Sequence, residues 1–433
     1  MQPTRSSSWK SDTLPSAVWT SLQPLTETNL PSSGVVSAFG HRIRFGNGDD
    51  VLCATSGLWN VNLGYGNPAI AEAVHGALLE CSYSTLFRQW NAHAEEAAAA
   101  LLGAAGEDLF ARVIYSTSGS AANDLVMKLV RQTQILRQFP EKQLIVALRG
   151  SYHGLTYGSF SLTGEDLGQR IYGVDQKLIR HVGCESGDEL SELMALQGNR
   201  IAAVVVEPVL GTGAYPVPTD FLDELFRFRE KYGFIIVADE VATGFGRTGP
   251  MFASTRWSQG PDVLITSKGL TNGSCAAAAV LTSADIAELF VASGSVFTHG
   301  ETQAGTPATA AAILATLSEF MRLDALENGV RVARQLDSAL NALTASNRSV
   351  TAHRGQGCFR ALEVIGAEGV PITGKETSFL LQSIRRAGAS VYPGPGGIQL
   401  IPSLTYSEVE VRELFESIAG GLSEFAAVGV SHD

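Results

Sequence analysis

Five short apolar runs, separated by helical segments, limit what this chain can fold into. The runs are RVIY (112–115), QLIVAL (143–148), IAAVVV (201–206), FIIVA (234–238) and DVLIT (262–266). Continuous apolar strands with helices between them are typical of a parallel sheet that is covered on both faces. The stretch after the first run, which has Leu125 and Leu129 on one face, predicts such a covering helix. The pattern therefore predicts an α/β fold with a mostly parallel central sheet flanked by helices.

The length of 433 residues suits one large domain and one smaller domain. We expect residues 1–60 to form an N-terminal arm and part of the small domain, and residues 61–310 to form the large domain. Residues 311–433 begin with a long helical pattern and continue into RGQGCFRALEVIG (354–366), which is typical of an α+β unit. The small domain would therefore be built from both chain ends.

Composition argues against several kinds of partner and location. The formal net charge of −12 disfavours binding to nucleic acid. No apolar run reaches the roughly 18 residues of a membrane span. The polar start, MQPTRSSSWKSDTLPS, lacks the apolar core of a secretory signal. The five cysteines stand singly, without a C-x-x-C pair, which predicts free thiols in a cytoplasmic protein rather than a metal site or disulfides.

Polar residues follow each of the five predicted strands. STSGSAAND (116–124) follows the first strand and RGSYHG (149–154) the second, and Glu207, Asp239 and Lys268 come shortly after the other three. Ligands of open α/β sheets bind beyond the carboxyl ends of the strands. We therefore expect these residues to converge on one site.

The elements after the first three strands have ordinary structural explanations when they are taken singly. The small residues of TSGSAAN suit a phosphate at a helix N-terminus, but a serine that only caps the helix explains them as well. Tyr152 can stack on a planar ring or simply pack in the protein, and His153 suits a structural histidine. Glu207 is compatible with a turn.

The positions of Asp239 and Lys268 are harder to explain by an ordinary structural role. A carboxylate at the end of a buried strand is costly unless a cation meets it. Lys268 ends an apolar strand instead of lying on a helix face, and Gly269 lets the backbone approach closely. One ligand satisfies all of these elements, pyridoxal 5′-phosphate. Its phosphate would bind the helix N-terminus, its ring would stack on Tyr152, its protonated ring nitrogen would pair with Asp239, and its aldehyde would join Lys268 as a covalent Schiff base.

Longer motifs resemble a known family over most of residues 34–425. They are SGLWNVNLGYGNPAI (56–70), TSGSAANDLVMKLVR (117–131), SYHGLTYGS (151–159), VVVEPVLGTGA (204–214), VADEVATGFGRTGPMFA (237–253), TSKGLTNG (266–273) and THGETQAGTPATAAAILA (298–315). The family is the class III pyridoxal-phosphate-dependent aminotransferases, the omega, ornithine and GABA type, of fold type I. The resemblance implies that fold, this cofactor and transfer of an amino group.

The resemblance also implies a role for individual residues. Lys268 and Asp239 would be catalytic, with Lys268 as the base that moves the α-proton of the donor. The other cofactor contacts would be Ser118, Gly119 and Ser120 at the phosphate, Tyr152 and Val241 on the two ring faces, and His153 and Glu207 beside the ring, with Glu207 near the ring hydroxyl. Thr302 would reach the phosphate of the neighbouring subunit, which implies a homodimer with shared active sites.

One departure from the family concerns recognition of a carboxylate. Many relatives carry a carboxylate-binding arginine where Gln399 stands, and Ser403 replaces the second proline of the segment that follows. A neutral amide cannot form the bidentate, charge-assisted clamp of an arginine. The sequence therefore predicts a weakened preference for substrates that carry a carboxylate there, unless Arg88, Arg354 or Arg360 takes over.

A second departure is SCAAAAV (274–280), where many relatives have an aromatic residue and a proline. The small side chains of residues 274–278 would leave room beside the cofactor, with Trp59 and Phe87 as pocket walls, although Trp59 is equally compatible with core packing. We predict an aminotransferase that moves an amino group from a donor amine or amino acid to a carboxylate-poor ketone or aldehyde, such as one on a peptide or natural product. An aminomutase, decarboxylase or racemase on the same scaffold and a non-catalytic binding protein are the alternatives.

Overall fold

Helices and strands alternate through residues 17–24, 34–106 and 108–428, the ranges that the computed structural model describes. The helices in these ranges are α1 (Ser56–Trp59), α2 (Pro68–Glu80), α3 (Ala92–Ala105), α4 (Gly119–Leu136), α5 (Tyr157–Leu162), α6 (Asp188–Gln197), α7 (Thr219–Tyr232), α8 (Ala284–Ser293), α9 (Pro307–Arg322), α10 (Ala325–Ser346), α11 (Gly374–Arg386) and α12 (Glu408–Val428). Within the predicted segment 1–60, residues 1–16 and 25–33 lie outside the described residues.

The strands fall into larger and smaller sheets. They are β1 (Val35–Phe39), β2 (Arg42–Phe45), β3 (Asp50–Cys53), β4 (Arg112–Ser116), β5 (Leu144–Leu148), β6 (Ile179–Val182), β7 (Ile201–Val206), β8 (Val209–Leu210), β9 (Tyr215–Pro216), β10 (Ile235–Asp239), β11 (Val263–Thr266), β12 (Ala278–Thr282), β13 (Val350–Gln356), β14 (Phe359–Val364), β15 (Ala389–Ser390), β16 (Tyr392–Gly394) and β17 (Gly397–Leu400). All five strands predicted from apolar runs are present.

A seven-stranded sheet in the order β4-β12-β11-β10-β7-β5-β6 forms the centre of the large domain. The pairs from β11 to β6 are parallel, and β12 runs antiparallel to both of its neighbours. The predicted mostly parallel sheet is confirmed. The sequence patterns missed two strands, because β12 begins within an alanine-rich stretch and β6, IRHV, is short and half polar.

The central strands are buried because helices cover both faces. Ile235 and Val237 of β10 pack in the cluster that contains the apolar face of α4, whereas Ile236 packs with α7. Every residue of β5, β7, β10 and β11 is buried. Each fully buried aliphatic side chain contributes roughly 1.5–3 kcal/mol, so these strands form the stable base of the site. Within the described ranges, every helix falls short of the length and apolar content that a membrane crossing demands.

The register of the central strands brings the predicted site residues to one edge. Ala238 of β10 pairs with Val206 of β7, so Asp239 and Glu207 follow paired residues on neighbouring strands. Asp239 itself pairs with Ile265 of β11, the strand that leads to Lys268. Parallel strands end at the same edge, and the three side chains therefore meet there.

The smaller domain draws on both ends of the chain. Strand β3 pairs in parallel with β15, and β1, β2, β3 and β15 form one four-stranded sheet. A second sheet, β13-β14-β17-β16, is antiparallel. The predicted boundary at residue 310 falls inside α9, which packs against α2 and α3. The boundaries at residues 60 and 310 stay predictions.

Candidate active site

Asp239, the last residue of β10, is buried and holds three hydrogen bonds. Its Oδ2 accepts from His153 Nδ1 at 2.7 Å and from Asn123 Nδ2 at 2.9 Å, and its Oδ1 accepts from the Val241 N–H at 3.1 Å. Burial is the largest single influence and opposes a positive charge on His153, but the hydrogen bond to Asp239 and the charges of Asp239 and Glu207 together outweigh it, so the pKa of His153 is raised. The carboxylate is therefore held in one orientation at the end of the strand.

The side chain of Glu240, the next residue, does not share the contacts of Asp239. Its carboxylate accepts from the Ala253 N–H, the Ser254 N–H and the Ser254 hydroxyl at 2.7 Å each, and from the Thr243 hydroxyl at 2.9 Å. Burial raises the pKa of Glu240, and these donors oppose that shift. Of the two adjacent acids, Glu240 holds a loop together, whereas Asp239 belongs to the site.

Glu207 follows β7 and is buried beside the same edge. Its Oε2 accepts from the Tyr152 N–H at 2.9 Å, and its Oε1 accepts from the Gly211 N–H at 3.1 Å. Burial raises the pKa of Glu207 to about 7, with a smaller contribution from the charge of Asp239, while His153 opposes the shift. Glu207 thus fixes the backbone that carries Tyr152, and its carboxyl group changes its protonation near neutral pH.

Lys268 begins a 3₁₀ turn, Lys268–Thr271, directly beyond β11 and has a positive φ of 41°. Its Nζ lies 4.2 Å from the centroid of the Trp59 ring. Burial lowers the pKa of Lys268 to about 8, although the carboxylates of Glu207 and Asp239 oppose this shift. A side chain held in the left-handed region costs energy and is typical of functional positions.

Gly269 allows the close approach that the sequence predicted. A Cβ there would lie 2.8 Å from Phe245 Cβ and 2.9 Å from Asn62 Nδ2, closer than real Cβ atoms come. Among the described residues, none accepts or donates a hydrogen bond at Lys268 Nζ. The amine is thus positioned by its backbone and left available.

The N-terminus of α4 provides donors for an anion. Ser118 caps the helix, and its Oγ accepts from the Ala121 N–H at 3.2 Å. The N–H groups of Gly119 and Ser120 have no acceptor within the described part of the chain. A Cβ at Gly119 would lie 3.0 Å from both methyl groups of Val241, so a larger residue would press against Val241 at the N-terminus of α4. Free N–H groups at the positive end of a helix suit a phosphate.

Glu301 connects the segment that contains Thr302 to the end of β4. It accepts from the Ser116 hydroxyl at 2.5 Å and from both the N–H (3.0 Å) and the hydroxyl of Thr117. Burial would raise the pKa of Glu301, but these hydrogen bonds lower it. Thr302 follows on the surface, where its carbonyl accepts from the Tyr83 hydroxyl at 3.0 Å.

These groups fit pyridoxal phosphate. The free N–H groups of α4 suit its phosphate, the fixed Asp239 carboxylate suits a protonated ring nitrogen, and the unpaired Lys268 amine suits its carbonyl carbon. Tyr152, about one-third exposed, and the part-buried Val241 lie beside these groups. Placement of the ring between Tyr152 and Val241 and the phosphate contact of Thr302 stay predictions.

The predicted substrate pocket is only partly assembled within this chain. The Trp59 ring packs against Phe359 at 5.3 Å and Tyr392 at 5.7 Å between centroids, as well as against Lys268. Trp59 is thus both a packed residue and a neighbour of the reactive amine. Phe87 lies elsewhere, over Gly300, and is 54% exposed.

Gln399 is buried, and backbone groups occupy its amide. Its Nε2 donates to the Gly211 carbonyl at 3.0 Å, and its Oε1 accepts from the Gly213 N–H at 3.3 Å. Residues 277 and 278, which the sequence suggested would widen the pocket, are buried, and Ala278 begins β12, whereas Ser274 and Ala276 are exposed. Gln399 thus supports the loop of residues 211–213, and a direct substrate contact by Gln399 stays a prediction.

Two of the three arginines proposed as substitutes are already occupied. Arg354 pairs with Glu363 and donates to the Gly213 carbonyl at 2.6 Å. Arg360 pairs with Asp337 at 2.8 Å. Arg88 is exposed next to Phe87.

The fold and the arrangement of Lys268, Asp239 and the α4 N-terminus define a fold type I enzyme that uses pyridoxal phosphate. The chain belongs to the class III aminotransferase family, whose model matches residues 26–422. It is 30% identical over 378 residues to an omega-aminotransferase of Caulobacter vibrioides, covering 82% of this chain and 86% of that protein.

Solved structures agree with this assignment. A PLP-bound amine transaminase from an uncultivated Pseudomonas species superposes with a TM-score of 0.87 and 28% identity, covering 94% of this chain and 99% of that one. An (S)-enantioselective omega-transaminase from Thermomicrobium roseum has a TM-score of 0.87 and 27% identity, covering 93% of this chain and 95% of that one. The predicted family, fold type, cofactor and enzyme class are therefore confirmed.

Sequence reasoning missed several residues of the site. Asn123, which bonds Asp239, lies one helical turn after Gly119, and this spacing was a usable signal. Tyr392, which packs against Trp59, belongs to a short strand without any local pattern. This contact joins residues that are far apart in the chain.

Proposed function

We propose that this aminotransferase acts on amines and on ketones or aldehydes that lack a carboxylate beside the reacting carbon. One observation carries the proposal: Gln399, Arg354 and Arg360 are all engaged by groups of the protein itself. The buried Arg247 is also engaged, by Asn62 Oδ1 and the Pro402 carbonyl. A carboxylate would therefore enter the site without a bidentate partner from these side chains.

In the proposed reaction, pyridoxal phosphate supplies an electron-accepting ring and the carbon that carries the amino group. Asp239 keeps the proton on the ring nitrogen, while His153 and Asn123 hold its carboxylate in place. Lys268 Nζ would take the proton from the α-carbon of the donor and would deliver it to the carbon of the bound cofactor that receives the amino group. Its lowered pKa of about 8 gives it a large neutral fraction in mildly alkaline solution, which a general base requires.

The other cofactor contacts in the proposal are the N–H groups of Gly119 and Ser120 with the Ser118 cap at the phosphate, and Tyr152 and Val241 at the ring. Glu207 holds the backbone of Tyr152 and lies near the ring hydroxyl. The Trp59 ring covers one side of the Lys268 amine and limits the access of water. Apart from Trp59, these residues follow strands of the central sheet, which supports the proposed roles.

A homodimer is part of the proposal. Tyr83, Phe87 and Trp90 form an exposed aromatic surface on the segment that packs against Gly300 and Thr302. Trp90 is 72% exposed in the single chain, which is unusual for a side chain of this size. A second copy that covers this surface would bring Thr302 and Phe87 to the neighbouring site.

Sedimentation at micromolar concentration should give a dimer, and Trp90→Glu should shift the protein towards monomers.

A donor screen without acceptor tests the activity. An alkylamine should convert the bound cofactor to its amine-bearing form and release one carbonyl product per site. Carbon dioxide release, or reaction without net loss of the amine, would instead indicate a decarboxylase, aminomutase or racemase. Protein that takes up no cofactor would indicate a binding function. Brisk turnover of glutamate would contradict the carboxylate-poor proposal, and its loss in Arg88→Ala would identify Arg88 as the binding group.

Amination of a ketone on a peptide or natural-product intermediate is the wider form of this proposal. The exposed Ser274 and Ala276 support it, because small side chains near the end of the Lys268 loop leave space for a larger substrate. Competition between a small ketone and a peptidyl ketone for the loaded enzyme would test the preference for a large acceptor.

A cytoplasmic location is also proposed, supported by five free cysteines.

A further inference from the structure

The connector between α8 and α9, residues 294–306, contains a carboxylate that the proposed reaction does not use. This residue, Glu301, is partly buried. Its Oε1 accepts from the Ser116 hydroxyl at 2.5 Å, and its Oε2 accepts from the Thr117 N–H at 3.0 Å and from the Thr117 hydroxyl. A side chain of the connector thus holds two consecutive residues at the start of the predicted phosphate loop, residues 116–120, where β4 ends and α4 begins.

The other end of the phosphate loop is fixed by two different segments. Gly119 packs so closely against Val241 that a Cβ there would lie 3.0 Å from its methyl groups. Ser120 Oγ accepts from the Leu155 N–H at 3.3 Å. The N–H groups of Gly119 and Ser120, which suit a phosphate, are therefore held between these contacts and those of Glu301. Donors that are fixed in advance spare the cost of ordering them when a ligand binds.

The charge of Glu301 favours an indirect role. Burial would raise the pKa of Glu301, but the hydrogen bonds to its carboxylate lower it, so the group is ionised at neutral pH. A carboxylate repels a phosphate, which argues against direct contact between the two. His299 Nε2 lies 3.4 Å from Glu301 Oε1, and Lys128 Nζ lies 3.2 Å from His299 Nδ1, so a positive charge on the same side offsets part of this repulsion.

We infer that Glu301 is a positioning residue for the cofactor phosphate: it links the start of the phosphate loop to the connector, so that affinity for the phosphate depends on it. Glu301 would act through Ser116 and Thr117 and would not touch the phosphate. The inference rests on the proposed phosphate contacts of Gly119 and Ser120, and it is independent of the proposed substrate preference. Without Glu301, the loop would have to be ordered each time the phosphate binds.

Glu301 has a rival, purely structural role, which is to hold the connector against the sheet. Pyridoxal, which lacks the phosphate, separates the two roles. General loosening of the site weakens the binding of pyridoxal and of pyridoxal phosphate alike, whereas a displaced phosphate loop weakens only pyridoxal phosphate. Glu301→Ala removes the link, and Glu301→Gln keeps an oxygen that can accept from the Thr117 N–H. Gln132→Ala is the matched control, because Gln132 Nε2 donates to the connector at the Val296 carbonyl, at 3.0 Å, and not to the phosphate loop.

The experiment titrates the full-length protein, freed of cofactor, with pyridoxal phosphate and with pyridoxal, and follows the quenching of tryptophan fluorescence. Glu301→Ala should weaken pyridoxal phosphate by about ten- to a hundredfold, the range expected for a hydrogen bond to a charged group, and pyridoxal by less than about threefold. Glu301→Gln should recover most of this loss, and Gln132→Ala should bind both ligands as the wild type does. Ser116→Ala, which removes one contact of Glu301, should show a smaller loss for pyridoxal phosphate alone, and it provides the test if Glu301→Ala does not fold.

Equal losses for the two ligands in Glu301→Ala would overturn the inference, because the side chain would then support the site as a whole. Unchanged or tighter binding of pyridoxal phosphate in that variant would also overturn it. Binding by Glu301→Gln as weak as that by Glu301→Ala would contradict action through hydrogen bonds and overturn the inference as well. A wild type that binds both ligands equally would contradict the phosphate site at α4, and the inference with it, but would leave the proposed substrate preference intact.

Discussion

The cofactor side of the site and its substrate side are built in different ways. The predicted cofactor side includes Asp239, Glu207 and Lys268, which lie at the ends of three adjacent strands of one sheet. The predicted substrate side includes Trp59, which lies in α1, and Gln399, which pairs with Tyr392 across the hairpin β16–β17. Strand register alone positions the first group, whereas the second depends on packing of the small domain against the large one. We therefore propose that the chemistry common to the family lies on the side that strand register positions, and that substrate selectivity lies on the other side.

The largest effect is expected on the cofactor side, from Lys268→Ala. Loss of the positioned base should lower kcat by about 10⁴-fold, the upper end of what general acid–base catalysis contributes. Single-turnover rates with an alkylamine would measure it. Lys177→Ala, a substitution of an exposed lysine, should keep wild-type activity. Activity within tenfold of wild type in Lys268→Ala would mean that the base lies elsewhere.

Sequence could predict the cofactor side because each polar residue follows an apolar strand directly. Asp239 and Glu207 needed only the strand positions and the parallel arrangement of the sheet. The residues of the substrate side could not be predicted from local sequence in this way. Gln399 was expected to face the substrate, yet its amide is engaged by Gly211 and Gly213, a contact between residues 188 and 186 positions apart in the chain. Tyr392 packs against Trp59, which lies far from it in the chain, so it gave no local signal.

The second prediction separates the two adjacent acids on the cofactor side. Asp239→Asn should lower kcat by roughly 10²- to 10³-fold, because a neutral amide no longer stabilises the charge on the ring nitrogen. Glu240→Ala should instead lower the free energy of unfolding by about 2–4 kcal/mol, since it leaves buried donors of residues 253 and 254 unpaired. Urea unfolding and kinetics on both variants would measure this. Reversal of the two effects would contradict the assignment of the two acids.

The third prediction concerns pH. Because burial lowers the pKa of Lys268 to about 8, its amine is neutral above that pH and charged below it. In the cofactor-free protein, labelling of Lys268 by an amine-reactive reagent should therefore rise with pH through a midpoint near 8. Peptide mapping would follow the label, with the exposed Lys177 as an internal reference. A midpoint shared with Lys177 would mean that the amine is solvated and the site less closed than described.

The smallest effect is expected on the substrate side, from Gln399→Leu. This change removes two hydrogen bonds to the loop of residues 211–213 and should lower the free energy of unfolding by about 1–3 kcal/mol. The ratio of kcat/KM for glutamate and an alkylamine should stay within about threefold, because the amide is occupied by the backbone. A larger change in that ratio would show that Gln399 contacts the substrate, as the sequence suggested.

The central claim is that Lys268, positioned beside Asp239 by two adjacent strands, is the amine that holds the cofactor. Reduction of the loaded protein with borohydride, followed by peptide mapping, tests it most directly, because reduction fixes the cofactor to its lysine. We predict a single labelled peptide with the modification at Lys268, and none in Lys268→Arg. A label on another lysine, or no label from protein that retains the cofactor, would contradict the claim.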